Sequence, residues 1–367
     1  VTDAEKYFVY INDILLGETD QTQIQTDKLL YSSEFSSKGN FKIHVVAKAT
    51  GKIASNKSDI YQLYRLPKIE QNSLKVSKTG VFSWATIQNS TNFASFIEFN
   101  NISTDVAVQD TQSKDYAEKI YETTYSGQIK FYVCAVGDGA TYLSGEYQSL
   151  QVTKLDMPKL NILGNSINIE PSDLNPSAMF DVKVSFKTSE ENIIVLATFS
   201  LNSNTSSTNN SYVFPKEWDA YDNGEFVFEV VATSDDCINS NTLEKTASRV
   251  QGGTFKGFAR KTTDSDKIDL VVEVGQKIEN ASYYLVLKSA QQLVITNVVP
   301  NEQNLLVYAI ENELSFAIGA QNFEFEFYVS APNKLNSVTS KIAGKRLNQI
   351  TNFAPKKGQM SWNASID

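Results

Sequence analysis

The residue types that most often perform catalysis are scarce in this sequence. It contains one histidine, His44, and two cysteines, Cys134 and Cys237. No pair of histidines can bind a metal, and no second histidine can serve a proton relay. His44 falls on the outward phase of an alternating strand, beside Lys42, so we expect it to be exposed to solvent. We predict no catalytic residue, no bound metal and no cofactor.

The two cysteines do not change this prediction. Neither has a histidine near it in the sequence, so a Cys–His nucleophile is not expected. We place Cys134 on the outward phase of a strand and Cys237 in a loop after the equivalent strand. Because the two positions are not equivalent, no disulfide within one domain is predicted. Small domains of this kind fold without one. No Gly-x-Ser-x-Gly elbow and no phosphate-binding glycine loop occurs.

Carboxylates and glycosylation triplets carry weaker signals. Residues 235–236 and 264–266 place aspartates in turn-like stretches, and oxygen ligands suit Ca²⁺. Neither stretch has an EF-hand pattern, so solvated turns are the favoured interpretation. Seven Asn-x-Ser/Thr triplets occur, and they matter only in a eukaryotic secretory pathway. They begin at Asn56, Asn89, Asn101, Asn204, Asn209, Asn280 and Asn363.

Two groups of aromatic residues could stack against sugars. They are Tyr116, Tyr121 and Tyr125, and further along Tyr212, Trp218 and Tyr221. Both groups lie at similar offsets before a recurring strand, in a stretch that must cap a core. We therefore predict core packing for them rather than a sugar platform. A self-formed isopeptide bond would need a buried lysine beside an acidic residue, and the assignable core positions are apolar.

The recurring strand is the strongest signal in the chain. An alternating apolar phrase occupies residues 39–47, 127–135, 224–232 and 321–329. Its first apolar position falls at 41, 129, 226 and 323, so the steps are 88, 97 and 97 residues. A period near 90 residues predicts a tandem array of similar small domains.

The alternation within each phrase predicts antiparallel sheets with one buried face. The buried face of the first phrase carries Phe41, Ile43, Val45 and Ala47, and that of the last phrase carries Phe323, Phe325, Phe327 and Val329. A half-buried sheet needs a second sheet to cover it, so we expect two-sheet sandwiches. Since such domains contact only neighbours, we expect them to be energetically near-independent.

Further strands are predicted on both sides of each phrase. Upstream we expect strand pairs at 81–84 with 93–99, at 182–186 with 193–199, and at 270–274 with 283–287. A crossing stretch then carries Phe35, Tyr121, Trp218 or Leu314, and residues 201–211 form a mobile polar loop. Downstream we expect short strands at 55–58, 142–144, 239–241 and 335–337. Trp84 should lie between two sheets.

Junctions near residues 68, 158, 250 and 348 divide the chain. The predicted domains are 1–68, which lacks its opening strands, 69–158, 159–250 and 251–348. Residues 349–367 then supply the opening strands of a further repeat. The first domain enters the repeat after its Trp-bearing strand, and the chain ends just past Trp362. This predicts head-to-tail polymers made by strand complementation. A truncated or processed fragment is the alternative.

Charge and hydropathy restrict the partners. The net charge is −9, from 33 basic and 42 acidic residues, and no cluster of Lys and Arg is present. Nucleic acid is therefore not an expected partner. No apolar run approaches the roughly 18–20 residues that a membrane span requires. The chain has no initiating Met and no visible signal peptide or anchoring tail, so we expect a processed or excised piece.

Several segments resemble a known family. Residues 133–144 end a strand in an Ala-Val-Gly-Asp-Gly turn followed by Tyr and Ser. Residues 81–84 and 359–363 carry a core Trp in an opening strand. These features resemble the fibronectin type III-like and immunoglobulin-like tandem repeats of bacterial, especially Gram-positive, surface proteins. The third and fourth domains depart from the pattern, since they lack the Trp and the Gly-Asp-Gly turn. The resemblance implies an all-β tandem array of such sandwiches.

The same resemblance implies a role. Such repeats act as spacers, adhesive modules or accessory domains. We expect a non-catalytic, extracellular protein of a bacterial surface. Other copies of itself, surface glycans or surface proteins are its expected partners. Two alternatives stay open: a carbohydrate-binding accessory region of a secreted glycan-degrading enzyme, and a structural protein of a phage or filament.

Overall fold

The computed structural model describes residues 1–24, 39–189, 191–202, 210–260, 268–288, 293–295, 298–309, 322–345, 351–356 and 359–363. The chain divides into two compact units. The first comprises Val1–Met157 with Asp173–Asn175 and Ala232–Asn241, and the second contains the remaining residues. The predicted domain boundaries stay a prediction.

Nearly all regular structure is β-strand. Alternating apolar residues, with Phe, Tyr, Val and Ile prominent, favour strands whose one face is buried. The described part of the chain contains one α-helix, α1 (Ala117–Tyr121), and two 3₁₀ turns, Gln71–Ser73 and Lys216–Ala220. Within the described residues no helix has both the length and the apolar character needed to cross a membrane.

The first sheet lies at the start of the first unit. Its strands are β1 (Lys6–Ile11), β2 (Ile14–Thr19), β3 (Asn40–Lys48) and β4 (Tyr61–Arg65). They are antiparallel in the order β4-β3-β1-β2. A small core of Ile11, Phe41 and Leu63 lies on one face. Phe41 and Ala47 are buried, as the alternation predicted, whereas Ile43 and Val45 of the same face are only partly buried.

The rest of the first unit is a two-sheet sandwich. Its strands are β5 (Lys75–Val76), β6 (Val81–Ser83), β7 (Asn92–Phe99), β8 (Ile102–Ser103), β9 (Ala107–Gln109), β10 (Ser113–Asp115), β11 (Gly127–Val136), β12 (Tyr142–Leu143) and β13 (Gln148–Lys154). One sheet has the order β10-β6-β5, and the facing sheet has the order β13-β11-β7-β8, with β9 also paired to β7.

Aromatic packing joins these two sheets. The rings of Phe82 and Phe131 stack with centroids 4.5 Å apart. Trp84 is 5% exposed and contacts the rings of Phe93 and Phe131. The predicted position of Trp84 between two sheets is confirmed.

The next strands along the chain form a second sandwich in the second unit. They are β14 (Leu160–Ile162), β15 (Ser166–Ile169), β16 (Met179–Ser189), β17 (Asn192–Asn202), β18 (Ser211–Val213), β19 (Glu225–Thr233) and β21 (Leu243–Ser248). The sheets have the orders β14-β15-β18 and β17-β16-β19-β21. Between β19 and β21, the two-residue strand β20 (Cys237–Ile238) belongs to the first unit.

One strand assignment here was wrong. The sequence placed residues 182–186 where residues 81–84 lie in the preceding sandwich. In the structure β16, which contains them, pairs with β19 and so occupies the place of β7. The place of β6 belongs to β15, Ser166–Ile169. Four residues give little alternation to detect, and the two long strands that follow dominate the pattern.

The last sandwich of the second unit repeats the three-plus-four arrangement. Its strands are β22 (Gly253–Arg260), β23 (Ile268–Val274), β24 (Ser282–Lys288), β25 (Leu293–Ile295), β26 (Leu305–Ala309), β27 (Asn322–Ser330) and β28 (Ser340–Lys345). The orders are β22-β23-β26 and β25-β24-β27-β28. Phe323, Phe325, Phe327 and Val329 are buried, as predicted. A hairpin of β29 (Thr351–Lys356) and β30 (Gln359–Asn363) follows.

Two loop predictions need correction. No strand forms at residues 55–58 or 239–241, since β20 ends at Ile238, and Leu335 makes only a single bridge. The strand predicted at 142–144 does form, as β12. The closing strand of each sheet begins several residues later, at β4, β13, β21 and β28. In the tract predicted as a polar loop, Leu201 and Asn202 end β17 and Ser211 begins β18. Residues 203–209, Phe35 and Leu314 lie outside the described residues.

Candidate functional site

His44 is not exposed as predicted. It is 4% exposed because β1 pairs with β3 and places Tyr10 directly opposite it. The two rings stack with centroids 5.0 Å apart. Asp13 lies on the other side, with Oδ1 3.9 Å from Nδ1. A search of the described residues finds no group of three or more His, Cys, Asp or Glu side chains able to hold a metal ion.

Both cysteines are buried and unbridged. Cys134, predicted to face outward, is 4% exposed because neighbouring side chains on that face of β11 cover it. Burial raises the pKa of its thiol, against a smaller opposing effect of a hydrogen bond with Tyr147. A buried thiol with a raised pKa is a poor nucleophile. Cys237 lies in β20 rather than in a loop, and the Nδ2 of Asn175 lies 3.8 Å from its sulfur.

The other candidates lie where a structural role places them. Asp235 pairs with Lys78 at 2.9 Å, whereas residues 264–266 lie outside the described residues. Asn89, Asn101 and Asn280 adopt positive φ angles in exposed turns, a conformation that asparagine tolerates well.

The six aromatic candidates pack in or against the core, as predicted. Tyr116 and Trp218 are buried. Tyr121 and Tyr125 pack on the core of the first unit. Tyr212 stacks on Phe199, and Tyr221 packs against Phe186.

A polar groove of about 500 Å³ opens beside the start of β22 in the second unit. Its lining side chains include Gln251, Thr254, Glu273, Gln303 and Asn304, and no aromatic ring lies among the residues that line it. Sugar-binding sites commonly present an aromatic face for stacking, and this groove lacks one.

A recurring arrangement of strands stands out instead. The closing strand of a sheet pairs in parallel with the segment that follows the next recurring strand along the chain. Thus β4 pairs with β12, β13 pairs with β20, and Arg249 bridges to Leu335. We call these contacts the first, second and third joints. The first two lie within the first unit and the third within the second unit.

The same backbone hydrogen bond closes every joint. The N–H of Leu66 donates to the carbonyl of Leu143 at 3.0 Å, and Leu155 donates to Ile238 at 3.0 Å. In the third joint Val250 donates to Leu335 at 2.9 Å. Each donor directly follows a basic residue, which is the last residue of β4 and β13 and the residue just after β21.

We call the segment that follows the recurring strand and pairs at a joint the docked segment. A serine fixes its backbone in two of these joints. Ser240 exchanges two hydrogen bonds with the backbone of Ala232, through its N–H and its Oγ. Ser337 does the same with Val329, also eight residues earlier. Ser55 and Ala47 repeat this pattern after β3. The segment therefore leaves its strand in a defined direction, which presents its carbonyls to the joint.

Buried basic side chains complete the joints. Arg249 is 7% exposed and donates to the carbonyls of Trp218, Tyr221 and Asn336 at 3.1, 3.3 and 2.8 Å. Its Nη1 also lies 3.5 Å from a carboxylate oxygen of Asp219. Trp218 lies in the 3₁₀ turn and Tyr221 directly follows it, and the carbonyl of Trp218 also accepts the N–H of Tyr221 at 3.1 Å. Arg249 therefore satisfies acceptors from both sides of the third joint.

Lys154 has the same task in the second joint. It is 1% exposed, and its Nζ donates to the carbonyls of Ile120 and Thr123 at 2.8 and 3.2 Å. Both carbonyls lie at the end of α1, where the helix dipole favours a cation. Asn241 donates to the carbonyl of Thr123 from the docked segment. Burial lowers the pKa of Lys154 from 10.5 to about 8.

Arg65 occupies the equivalent position in the first joint. Its guanidinium lies 5.4 Å from the ring centroid of Phe41, as that of Arg249 lies 5.5 Å from Phe226. Phe41 and Phe226 are the first apolar residues of their phrases. A cation over an aromatic face is stabilised by the ring quadrupole.

Sequence reasoning missed these residues although a signal was present. Near each predicted junction a basic residue precedes a Leu or a Val. The basic residues are at positions 65, 154, 249 and 346. The spacings of 89, 95 and 97 residues follow the repeat. Arg346 lies outside the described residues. One basic residue in a strand is common, so only the repetition distinguishes it.

No protein-family model matches this chain, and no curated protein matches it. Among solved structures, a segment of a 1.5-MDa bacterial ice-binding adhesin is 10% identical, with 77% of this chain and 95% of that chain covered and a TM-score of 0.20. A tetra-tandem repeat from the extending region of a large adhesion protein is 12% identical, with 94% and 92% covered and a TM-score of 0.20. Chicken CNTN1 FN1–FN3 domains are 12% identical, with 77% and 99% covered and a TM-score of 0.21. Likeness at this level assigns no function.

The fold class rests on the strands themselves. A three-stranded sheet packed on a four-stranded sheet recurs along the chain. The chain is an all-β tandem array of fibronectin type III-like or immunoglobulin-like sandwiches, as predicted.

The third joint can be tested by removing its cation. We expect Arg249→Ala to destabilise the second unit by about 3 kcal/mol, because buried carbonyls lose their donor. Hydrogen exchange should increase at residues 216–221 and 331–337. Lys183→Ala, which removes an exposed pair with Glu229, is the matched control and should cost less than about 1 kcal/mol. Equal effects of the two substitutions would contradict a role for Arg249 in the joint.

The second joint should show a pH dependence. Between pH 8 and pH 10.5 an unfolded chain keeps a proton on Lys154 that the folded chain releases, so folding is favoured as the pH rises. Relative to Lys154→Met, the wild-type chain should gain about 2 kcal/mol across this window. Urea unfolding, monitored by hydrogen exchange of residues 127–155, measures the difference in the free energy of unfolding between the two proteins. If this difference does not change with pH, burial does not lower the pKa of Lys154.

Proposed function

We propose that this chain is a non-catalytic spacer or adhesive repeat protein, extracellular and displayed on a bacterial surface. The observation that carries the spacer role is the buried cation of the second and third joints, Lys154 and Arg249, which ties consecutive elements of the array together. The bacterial surface rests on the resemblance of residues 81–84 and 133–144 to surface-protein repeats.

A spacer must transmit position along its length. A flexible linker would leave neighbouring domains free to rotate. The third joint instead combines a strand bridge, a backbone hydrogen bond and the donors of Arg249 within one unit. Each of these contacts has a required geometry, so together they restrict rotation about the junction.

The buried positions of the reactive side chains support the absence of catalysis. His44 stacks under Tyr10, and both cysteines are enclosed. None of them reaches a cleft where a substrate could approach. The alternative roles, as a carbohydrate-binding accessory region or a phage or filament protein, gain no specific support from the groove beside β22.

Stiffness of the third joint is the test of the spacer role. Spin labels on cysteines introduced at Val213 and Val307, which are 73% and 51% exposed, lie on the two sandwiches of the second unit. The native cysteines are buried and should not be labelled. Double electron–electron resonance should give a narrow distance distribution in the otherwise wild-type chain.

Variants of the joint sharpen this measurement. Arg249→Ala should broaden the distance distribution. Arg249→Lys should give a distribution nearly as narrow as that of the wild-type chain, since Lys154 occupies the same place in the second joint. Lys183→Ala should leave it unchanged. A broad distribution in the wild-type chain would exclude a stiff spacer.

We further propose that copies assemble head to tail by strand complementation. The hairpin β29–β30 pairs its strands as β5–β6, β14–β15 and β22–β23 pair theirs. The sheet β1–β4 has a buried core face, and the three-stranded sheets of the described residues all lie elsewhere in the chain. A donated hairpin would add strands to this first module, and such a contact need not close.

Deletion of residues 349–367 tests the assembly. Light scattering should show oligomers in the full chain at high concentration and their loss in the deletion variant. Oligomers of equal mass in both proteins would show that the hairpin is not the donated element.

A further inference from the structure

The outer edge of β17 differs from other strand edges of this chain. β17 contains eleven residues, Asn192–Asn202, and none of them is Asp, Glu, Lys or Arg. Its one strand neighbour among the described residues is β16. Ile193, Ile194 and Val195 are 55%, 42% and 55% exposed. The chain thus presents a long, apolar and uncharged strand to solvent.

Corresponding edges of the other sheets are shorter. At the same position the first sheet has β2 with six residues, and the next has β8 and β9 with two and three. The fourth sheet has β25 with three residues. At the opposite edge, β4 and β13 are each paired with a docked strand. Natural sheets shorten, charge or cover their edges to prevent pairing with other chains. β17 carries none of these protections.

Its backbone can accept another strand. β17 pairs with β16 along its whole length, from Met179↔Asn202 to Ser189↔Asn192. In an antiparallel ladder alternate residues direct their N–H and C=O groups away from the neighbour, so the outer edge carries a row of groups without a strand partner. A bulge near Val195 increases the local twist but leaves pairing on both sides of it.

A second copy of this chain fits this edge. Pairing β17 with itself brings no like charges together, because the strand is uncharged. An antiparallel pair about a two-fold axis places the Asp181 end of one β16 level with the Lys187 end of the other, since Asp181 lies opposite Ser200 and Lys187 opposite Ile193. Charges of opposite sign therefore lie one strand behind the contact on each side, about 14 Å apart, where salt screens them and where they do not oppose pairing.

We propose that two copies of this chain associate through β17, which pairs antiparallel with the β17 of the other copy. The two four-stranded sheets then form one continuous eight-stranded sheet. A contact of one strand per copy lies below the roughly 1,200 Å² of a standard interface, so the dimer is weak. It forms where copies are concentrated, and its closed two-fold symmetry distinguishes it from head-to-tail growth.

Sedimentation equilibrium of the full chain tests the proposal. The wild-type chain should dimerise with increasing concentration. Added salt should strengthen the dimer, because the net charge of −9 repels copies from one another. Ile193→Lys and Val195→Lys should each raise the apparent Kd of the dimer at least about tenfold. Each copy would contribute one ammonium group to the paired edge, so two like charges would meet there.

The matched control is Ile53→Lys. Ile53 is 99% exposed and lies between β3 and β4 in the first unit, so its replacement adds the same charge away from the edge. It should dimerise like the wild-type chain. A wild-type chain that stays monomeric at every concentration and salt level would overturn the proposal. Lysine variants that dimerise as well as the control would also overturn it.

Hydrogen exchange gives a second readout that needs no variant. Amides of residues 192–202 should exchange more slowly in a concentrated sample than in a dilute one, whereas those of β2 should not change. Dimerisation with protection of another strand, and none at residues 192–202, would assign the contact elsewhere and reject β17 as the edge.

Discussion

The second and third joints depend on satisfying backbone carbonyls at the end of the stretch that precedes the recurring strand. The short helix α1 and the 3₁₀ turn Lys216–Ala220 both end where a docked segment covers them. The carbonyls of Ile120, Thr123 and Tyr221 at these ends take their donors from outside the helix or turn, and burial without a donor would cost about 1–3 kcal/mol each. A basic side chain at the end of the closing strand supplies the donors, so the strand, the turn and the docked segment meet around one cation.

Arg249 and Lys154 satisfy these carbonyls with different numbers of donors. The guanidinium of Arg249 reaches carbonyls on both sides of its joint, whereas the ammonium of Lys154 is aided by Asn241. A guanidinium has five donors in a fixed plane, and an ammonium has three on a flexible stem.

These joints change the energetic picture that a repeat suggests. Near-independent domains were expected because each repeat should bury its own core. In the structure, Ile238 belongs to the hydrophobic cluster of the first unit although it follows β19 in sequence. The closing strand of one element is also paired by a later segment. Nearest-neighbour terms therefore contribute to stability in addition to the core of each sandwich.

The sequence predicted the features that depend on local alternation. The buried faces of β3 and β27 followed from period-two patterns, and the position of Trp84 followed from its place in a short apolar strand. Outward positions were harder to predict. His44 and Cys134 have the outward phase, yet they are covered because aromatic side chains lie across that face, Tyr10 opposite His44 and Tyr147 beside Cys134. Such covering depends on which strands pair, and one strand's pattern does not contain that information. The joints were visible only as a repeated basic residue. Its role needs the fold, because the acceptors of Lys154 and Arg249 lie 28–34 residues earlier in sequence and a further acceptor of Arg249, Asn336, lies 87 residues later.

The parallel pairing at the joints also sets a schedule for the emerging chain. Arg65 pairs with Leu143, and Lys154 pairs with Ile238, so each closing strand waits for a segment about 80 residues downstream. At a synthesis rate of about 5–20 residues per second, that delay is roughly 4–16 s. During this interval the sandwich already made keeps an open edge and a basic residue without its final surroundings. Its neighbour's docked segment completes it. Each sandwich is thus completed only after the following repeat has been synthesised. If translation stalls, the most recently synthesised sandwich is the one that lacks its joint.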